Sequence, residues 1–289
     1  MLQPVNWIAY TLLMYFSSVA LYLFVRKSGL VKVPLQLTNL VMFSMPLLLY
    51  VIIGVFTGVS FTLSWLHLLI VTFAAIVFSY GGNVASLKSI ALAPNPGYSL
   101  ALSRSYVLFT TIVAVLLLGQ HVSLRHVSAI AMIVVFLALI LINKPTKHAT
   151  GQAWIVYALG AFFAWGLLSL TSKYLFLHNV QTMTFLIYLF AVATVCTISA
   201  NKMDHTVFQN TTKAQAWLLL GIGICTALFN LGQFRAIQLA PNIGYVNAIN
   251  AGSISLVTVF AVLLFKDELT KKKAVGILGV TVGLILLLV

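Results

Sequence analysis

The feature that most restricts the fold is a repeat. Lys88-Ser-Ile-Ala-Leu-Ala-Pro-Asn-Pro-Gly-Tyr98 returns as Arg235-Ala-Ile-Gln-Leu-Ala-Pro-Asn-Ile-Gly-Tyr245, an offset of 147 residues (241 − 94) in a chain of 289. In the same register Trp7-Ile-Ala-Tyr10 matches Trp154-Ile-Val-Tyr157, Arg26 matches Lys173 and Asn83 matches Asn230. A spacing of about half the chain, held from end to end, means one unit used twice. Whatever the first copy folds into, the second must fold into as well.

Hydrophobicity decides what that unit is. Charged residues make up only 7% of the chain and hydrophobic ones 62%, whereas soluble domains carry about 25% charged residues. The chain is therefore a polytopic membrane protein. A helical span needs roughly 20 apolar residues, and ten stretches qualify: Pro4 to Val25, Val33 to Phe56, Leu66 to Ala91, Pro96 to Leu118, Leu124 to Ile142, Gln152 to Leu175, Gln181 to Ala200, Ala216 to Leu239, Ile243 to Phe265 and Ala274 to Val289. The expected fold is an all-α membrane protein of ten transmembrane helices, five per copy. No cleavable secretion signal is apparent, since the N-terminus lacks a basic segment ahead of its first span. Cys196 and Cys225 both fall inside spans, which argues against a disulfide framework, and neither a metal site nor a cofactor is expected.

Five spans is an odd number, so the second copy enters the membrane inverted relative to the first. Inverted repeats place a substrate site near the bilayer midplane and work by alternating access. The sixteen Lys and Arg follow topology. Loops after odd-numbered spans hold twelve of them, loops after even-numbered spans hold three (Arg125, Lys173, Arg235), and Arg104 is left inside a span. Positively charged loops stay in the cytoplasm, so both termini are expected outside. The net charge of +13 therefore does not point to nucleic acid as a partner.

Polar residues recur on helical faces at equivalent places in the two copies. Ser79, Asn83 and Ser86 in span 3 are answered by Thr226, Asn230 and Gln233 in span 8. Ser99, Ser103, Tyr106 and Thr110 in span 4 are answered by Asn247, Asn250 and Ser253 in span 9. Span 1 adds Ser18 and Tyr22, and span 6 adds Trp165, Ser169 and Ser172. Polar side chains are costly against lipid tails and turn inward, so spans 1, 3, 4, 6, 8 and 9 are expected to line a cavity. The same side chains also suit hydrogen bonds that tie helices together. Span 10 instead offers Gly276, Gly279 and Gly283, a pattern for close packing. In the Ala-Pro-Asn turn, proline ends one helix and Asn95 or Asn242 caps the next.

The acidic residues are Asp204, Asp267 and Glu268, all in loops. No carboxylate is placed to couple transport to protons or sodium. Arg104, aligned with Ala251, is the intramembrane charge. Its fork of donors suits a carboxylate or phosphate on a substrate, and snorkelling to a span end is the other reading. The candidate substrate-binding set is Asn83, Arg104, Tyr106, Trp165, Asn230, Gln233, Asn247 and Asn250. Trp165, Tyr80, Tyr106 and Tyr157 keep open an aromatic cage for a choline-like cation. There is no phosphate loop or nucleophile elbow, so neither an enzyme nor an ATP-driven pump is expected.

One stretch carries a family likeness. Ala236-Ile-Gln-Leu-Ala-Pro241 leads to Lys266-Asp-Glu-Leu-Thr-Lys-Lys-Lys-Ala-Val-Gly276 and on to Val289, and this resembles the EamA-type members of the drug/metabolite transporter superfamily. Glu268, Leu269, Thr270 and Gly276 fill that family's motif. In the first copy Gly119-Gln-His-Val-Ser123 holds the position, with His121 in place of the acid and Ala129 in place of the Gly. The resemblance implies two EamA-like five-helix repeats, residues 1–147 and 148–289, around a central cavity. It implies a multi-pass transporter of the cell (inner or plasma) membrane that exports amino acids or other small metabolites. Import of sugars or choline-like cations, or lipid flipping, are the alternatives. The implied partners are a small-molecule substrate and the lipid bilayer, and a homodimer is left open. Relatives of this type keep both termini in the cytoplasm, opposite to what the charge count gives.

Overall fold

Helices form along the long apolar runs. The computed structural model describes residues 5–93, 96–142, 152–201 and 211–288. The helices are α1 (Val5–Leu30), α2 (Leu35–Phe56), α3 (Trp65–Phe73), α4 (Gly82–Leu92), α5 (Pro96–Arg104), α6 (Tyr106–Leu118), α7 (Leu124–Leu141), α8 (Ala153–Leu177), α9 (Thr182–Asn201), α10 (Lys213–Leu239), α11 (Ile243–Phe265) and α12 (Lys271–Leu288). Between α3 and α4 the chain stays helical but widens into π turns over Ala74–Gly81. Among the described residues nine helical stretches are long and apolar enough to cross a bilayer, α3 to α4 and α5 to α6 each counting as one. This is an all-α, multi-pass membrane protein. The remaining helix, α12, is 18 residues long and opens on three lysines, which leaves it outside that set.

Helix ends repeat in the register of the sequence. Lys32 (φ 56°) and Asn179 (φ 63°) are both left-handed and lie 147 residues apart (179 − 32). Val33 N–H donates to Ser28 O at 2.9 Å and Lys32 N–H to Gly29 O at 3.2 Å. Val180 N–H donates to Leu175 O at 3.0 Å and Asn179 N–H to Phe176 O at 3.2 Å. These are two copies of one Schellman end, and they carry α1 to Leu30 and α8 to Leu177, beyond the expected ends at Val25 and Leu175. Gly119 (φ 62°) and Lys266 (φ 57°) also end α6 and α11 in the left-handed region, again 147 apart (266 − 119), with their N–H groups donating to Ala114 O and Ala261 O. Ser123 then caps α7 by accepting from His126 N–H at 3.4 Å, and Thr270 does so for α12 from Lys273 N–H at 3.3 Å. The expected cap at Asn242 is present, its Oδ1 accepting from Gly244 N–H at 2.7 Å. The matching Pro94 and Asn95 lie outside the described residues, as do Lys144, Lys147, His148, Lys202, Asp204, His205 and Val289.

Two compact units result, Met1–Ile76 with Leu175–Gln238, and Val77–Tyr174 with Leu239–Val289. In the first, α9 packs on α2 and α3. Tyr50, 1% exposed, meets Phe190 edge-on at 5.6 Å and donates its hydroxyl to Ala227 O at 2.6 Å. A buried phenol needs such a partner when water is excluded. In the second, α12 lies along α7, and α11 packs on α6, α7 and α12. The glycines of α12 meet side chains of α7: a Cβ on Gly279 would sit 2.1 Å from the Phe136 ring, one on Gly276 2.6 Å from Ile140, and one on Gly283 2.7 Å from Ile133. The stripe of small residues therefore works as close packing within the chain.

Candidate functional site

Within the second unit the polar and aromatic residues gather around α8. Helix α4 runs antiparallel to it. The Ser89 hydroxyl donates to Trp154 O at 2.7 Å, Lys88 Nζ lies 5.4 Å from the Tyr157 ring centroid, and a Cβ on Gly82 would sit 2.8 Å from Ala164 Cβ and 3.4 Å from the Trp165 ring. On the other side a Cβ on Gly166 would sit 2.6 Å from the Phe109 ring of α6. These two glycines draw α4 and α6 close to α8 on either side of Trp165. Sequence periodicity did not single them out, because a glycine inside an apolar span shows its partner only in three dimensions.

Arg104 lies inside the span Pro96–Leu118, as expected from sequence, but the helix there is interrupted. It is the last residue of α5, and the helix breaks at Ser105 before α6 starts at Tyr106. The Ser103 hydroxyl donates to Leu100 O at 3.3 Å and that of Ser105 to Leu102 O at 2.7 Å. Such local bonds compete with the helical ladder. The equivalent stretch of α11 is unbroken through Ala251. The Arg104 guanidinium carbon lies 5.0 Å from the Trp165 ring centroid, a cation–π contact that gains strength where water is excluded. Tyr106 is 3% exposed and meets the same indole edge-on at 6.3 Å and 66°.

One helical turn further along α8, Ser169 reaches α11. Asn247, fully buried, donates its Nδ2 to Thr110 Oγ1 at 3.1 Å and accepts from the Ser169 hydroxyl at 3.5 Å. It thus joins α6, α8 and α11. Asn250 follows on the same side of α11 and is 3% exposed. Asn83, half-buried, sits on α4 beside Gly82. The remaining two candidates, Asn230 and Gln233, are half-buried on α10 in the first unit, where Asn230 Nδ2 donates to Thr226 O one turn back at 2.8 Å. Contacts therefore join Arg104, Tyr106, Trp165 and Asn247 into one cluster. Arg104 is the cation of this cluster, and among the described residues Asp267 and Glu268 follow the end of α11.

A sequence model of the EamA-like transporter family matches residues 152–289. Over that stretch the chain is similar to EamA-like proteins. It supplies Trp165, Ser169, Asn247 and Asn250, while Arg104, Tyr106 and Thr110 come from the half outside the match. No curated protein matches the chain. A solved crystal structure, 14% identical, superposes with a TM-score of 0.78 over 99% of this chain and 98% of its own, which speaks for the fold alone. The chain is thus a multi-pass membrane protein whose residues 152–289 are similar to the EamA-like transporter family.

Proposed function

We propose that the protein is a secondary transporter of a small polar organic metabolite bearing a carboxylate, an amino acid favoured, which it exports across the cell (inner or plasma) membrane by alternating access. In this reading the chain is two inverted EamA-like repeats, residues 1–147 and 148–289, with α12 as the tenth span. The helix ends that recur 147 residues apart support the duplication. The observation that carries the substrate reading is Arg104. A guanidinium at a helix break within a membrane stretch, held against Trp165, is a device for a carboxylate, because its planar fork matches two oxygens at once. Broken helices in transporters are tolerated where they line a cavity. Tyr106 and Trp165 shape the pocket, and Asn83, Asn230, Gln233, Asn247 and Asn250 supply hydrogen bonds. A choline-like cation fits less well, since the Trp165 ring already faces a positive group.

Counterflow into proteoliposomes loaded with mixed metabolites tests this. Labelled amino acids and organic acids should exchange, and Arg104→Ala should reduce their exchange at least about tenfold, with Arg104→Lys intermediate. Exchange of choline or sugars that is indifferent to Arg104 would overturn the carboxylate reading. Movement of lipid probes without solute exchange would overturn transport of a soluble metabolite.

A further inference from the structure

We infer that Asn250 is the specificity-determining residue of this site, a buried hydrogen-bond acceptor that selects carboxylates carrying an N–H or O–H donor on the same small skeleton. The inference rests on the proposed carboxylate site and deepens it.

The argument starts from helix direction. Lys173 Nζ of α8 donates to Ala240 O at 3.0 Å, just ahead of α11, while Ser169, four residues earlier on α8, meets Asn247, seven residues further along. The two helices are therefore antiparallel. Helix α6 gives the same result: Gln120 just past its end accepts from Ile243 N–H at 3.0 Å, and Thr110 within it meets Asn247. Moving from Asn247 to Asn250 advances about 4.5 Å along α11 and goes backwards by one turn on both neighbours. Asn250 thus comes level with Trp165 on α8 and Tyr106 on α6, the level at which the indole faces Arg104.

Asn250 is 3% exposed, and its Oδ1 is buried with no hydrogen-bond partner among the described residues. An amide oxygen left unsatisfied in an apolar interior is costly, so a ligand donor that reaches it gains more than one offered to an exposed amide. Asn247, on the same helix, spends its amide on Thr110 and Ser169 and is held in place by them. The two asparagines therefore differ in role, one tying helices and one open to a ligand. A carboxylate on Arg104 leaves the donor of a 2-amino or 2-hydroxy acid to satisfy the Asn250 oxygen. An unsubstituted acid cannot.

The test uses the purified full chain and matched acids with one carbon skeleton: alanine, lactate and propionate. Ligand-induced thermal stabilisation and competition in counterflow both read affinity. The intact protein should favour alanine and lactate over propionate by about tenfold or more, as sites built around a hydrogen bond do. Asn250→Leu should bring that ratio toward one, while Asn250→Asp, which keeps an acceptor and adds charge, should raise alanine over lactate. Protein that elutes as a single folded species qualifies for comparison, and the Asp variant carries the test where the Leu variant fails to fold. If the ratio survives both substitutions while Arg104→Ala abolishes all three ligands, this inference falls and the carboxylate site stands. If Arg104→Ala leaves all three unaffected, both fall.

Discussion

At the scale of single residues, the triangle of Asn247, Thr110 and Ser169 makes a graded prediction. Thr110→Val removes the 3.1 Å acceptor of the buried Nδ2 and should lower stability by about 1 kcal/mol, the low end for a buried group losing its partner. Ser169→Ala gives up the longer 3.5 Å contact and should cost only a few tenths of that. Thermal unfolding of both variants in detergent checks the order. All three residues were visible in the sequence as polar positions on apolar helices, and Arg104 was visible as a charge where none belongs. Their partnership was not. Helical periodicity reports which face a residue occupies and says nothing of the element opposite. The break after Arg104 was hidden for a related reason: Ser, Arg and Tyr are all acceptable in a helix, and two hydroxyls bonding backwards within three residues had to be seen together.

Helix punctuation carries the predictions at the scale of elements. Lys266 ends α11 in the left-handed region where its counterpart after α6 is Gly119. A side chain there costs about 1 kcal/mol that glycine does not, so Lys266→Gly should raise the unfolding temperature by a few degrees. No change or a fall would mean that the lysine side chain contributes at least as much as its backbone strain removes. On α12, Gly279→Ala would place a methyl group 2.1 Å from the Phe136 ring. Overpacking of this kind costs about 1–3 kcal/mol, and adding Phe136→Leu should recover more than half of it if the two sites are coupled. Here the sequence was informative in part. Three glycines on one stripe announced close packing, but that α7 is the partner follows from the fold.

For the whole molecule, the chain's own charges make an orientation testable. Twelve of the sixteen basic residues lie in loops that follow odd-numbered spans, which predicts that the loop after α11, the ninth span, is cytoplasmic. With Cys196 and Cys225 replaced, a cysteine at Glu268 should resist a membrane-impermeant maleimide until the membrane is opened, whereas one at His178 should react from outside. The reverse pattern would put both termini inside. Nine of the ten expected spans are present among the described residues as helices long and apolar enough to cross a bilayer, because length and hydropathy set them, while α12 with its three lysines falls outside that set. The division into two compact units was not legible. Each unit takes helices from both halves of the sequence, and no local pattern encodes such an exchange.

The π turns at Ala74–Gly81 and the break at Ser105 both belong to the first half of the sequence, and the matching helices α10 and α11 have neither. A duplicated carrier whose halves were alike in shape would spend equal time open to each side. Irregularity confined to one half removes that degeneracy. Under alternating access the carrier would then have a preferred resting face, and half-saturating concentrations measured from the two sides of the membrane would differ with no energy source supplied.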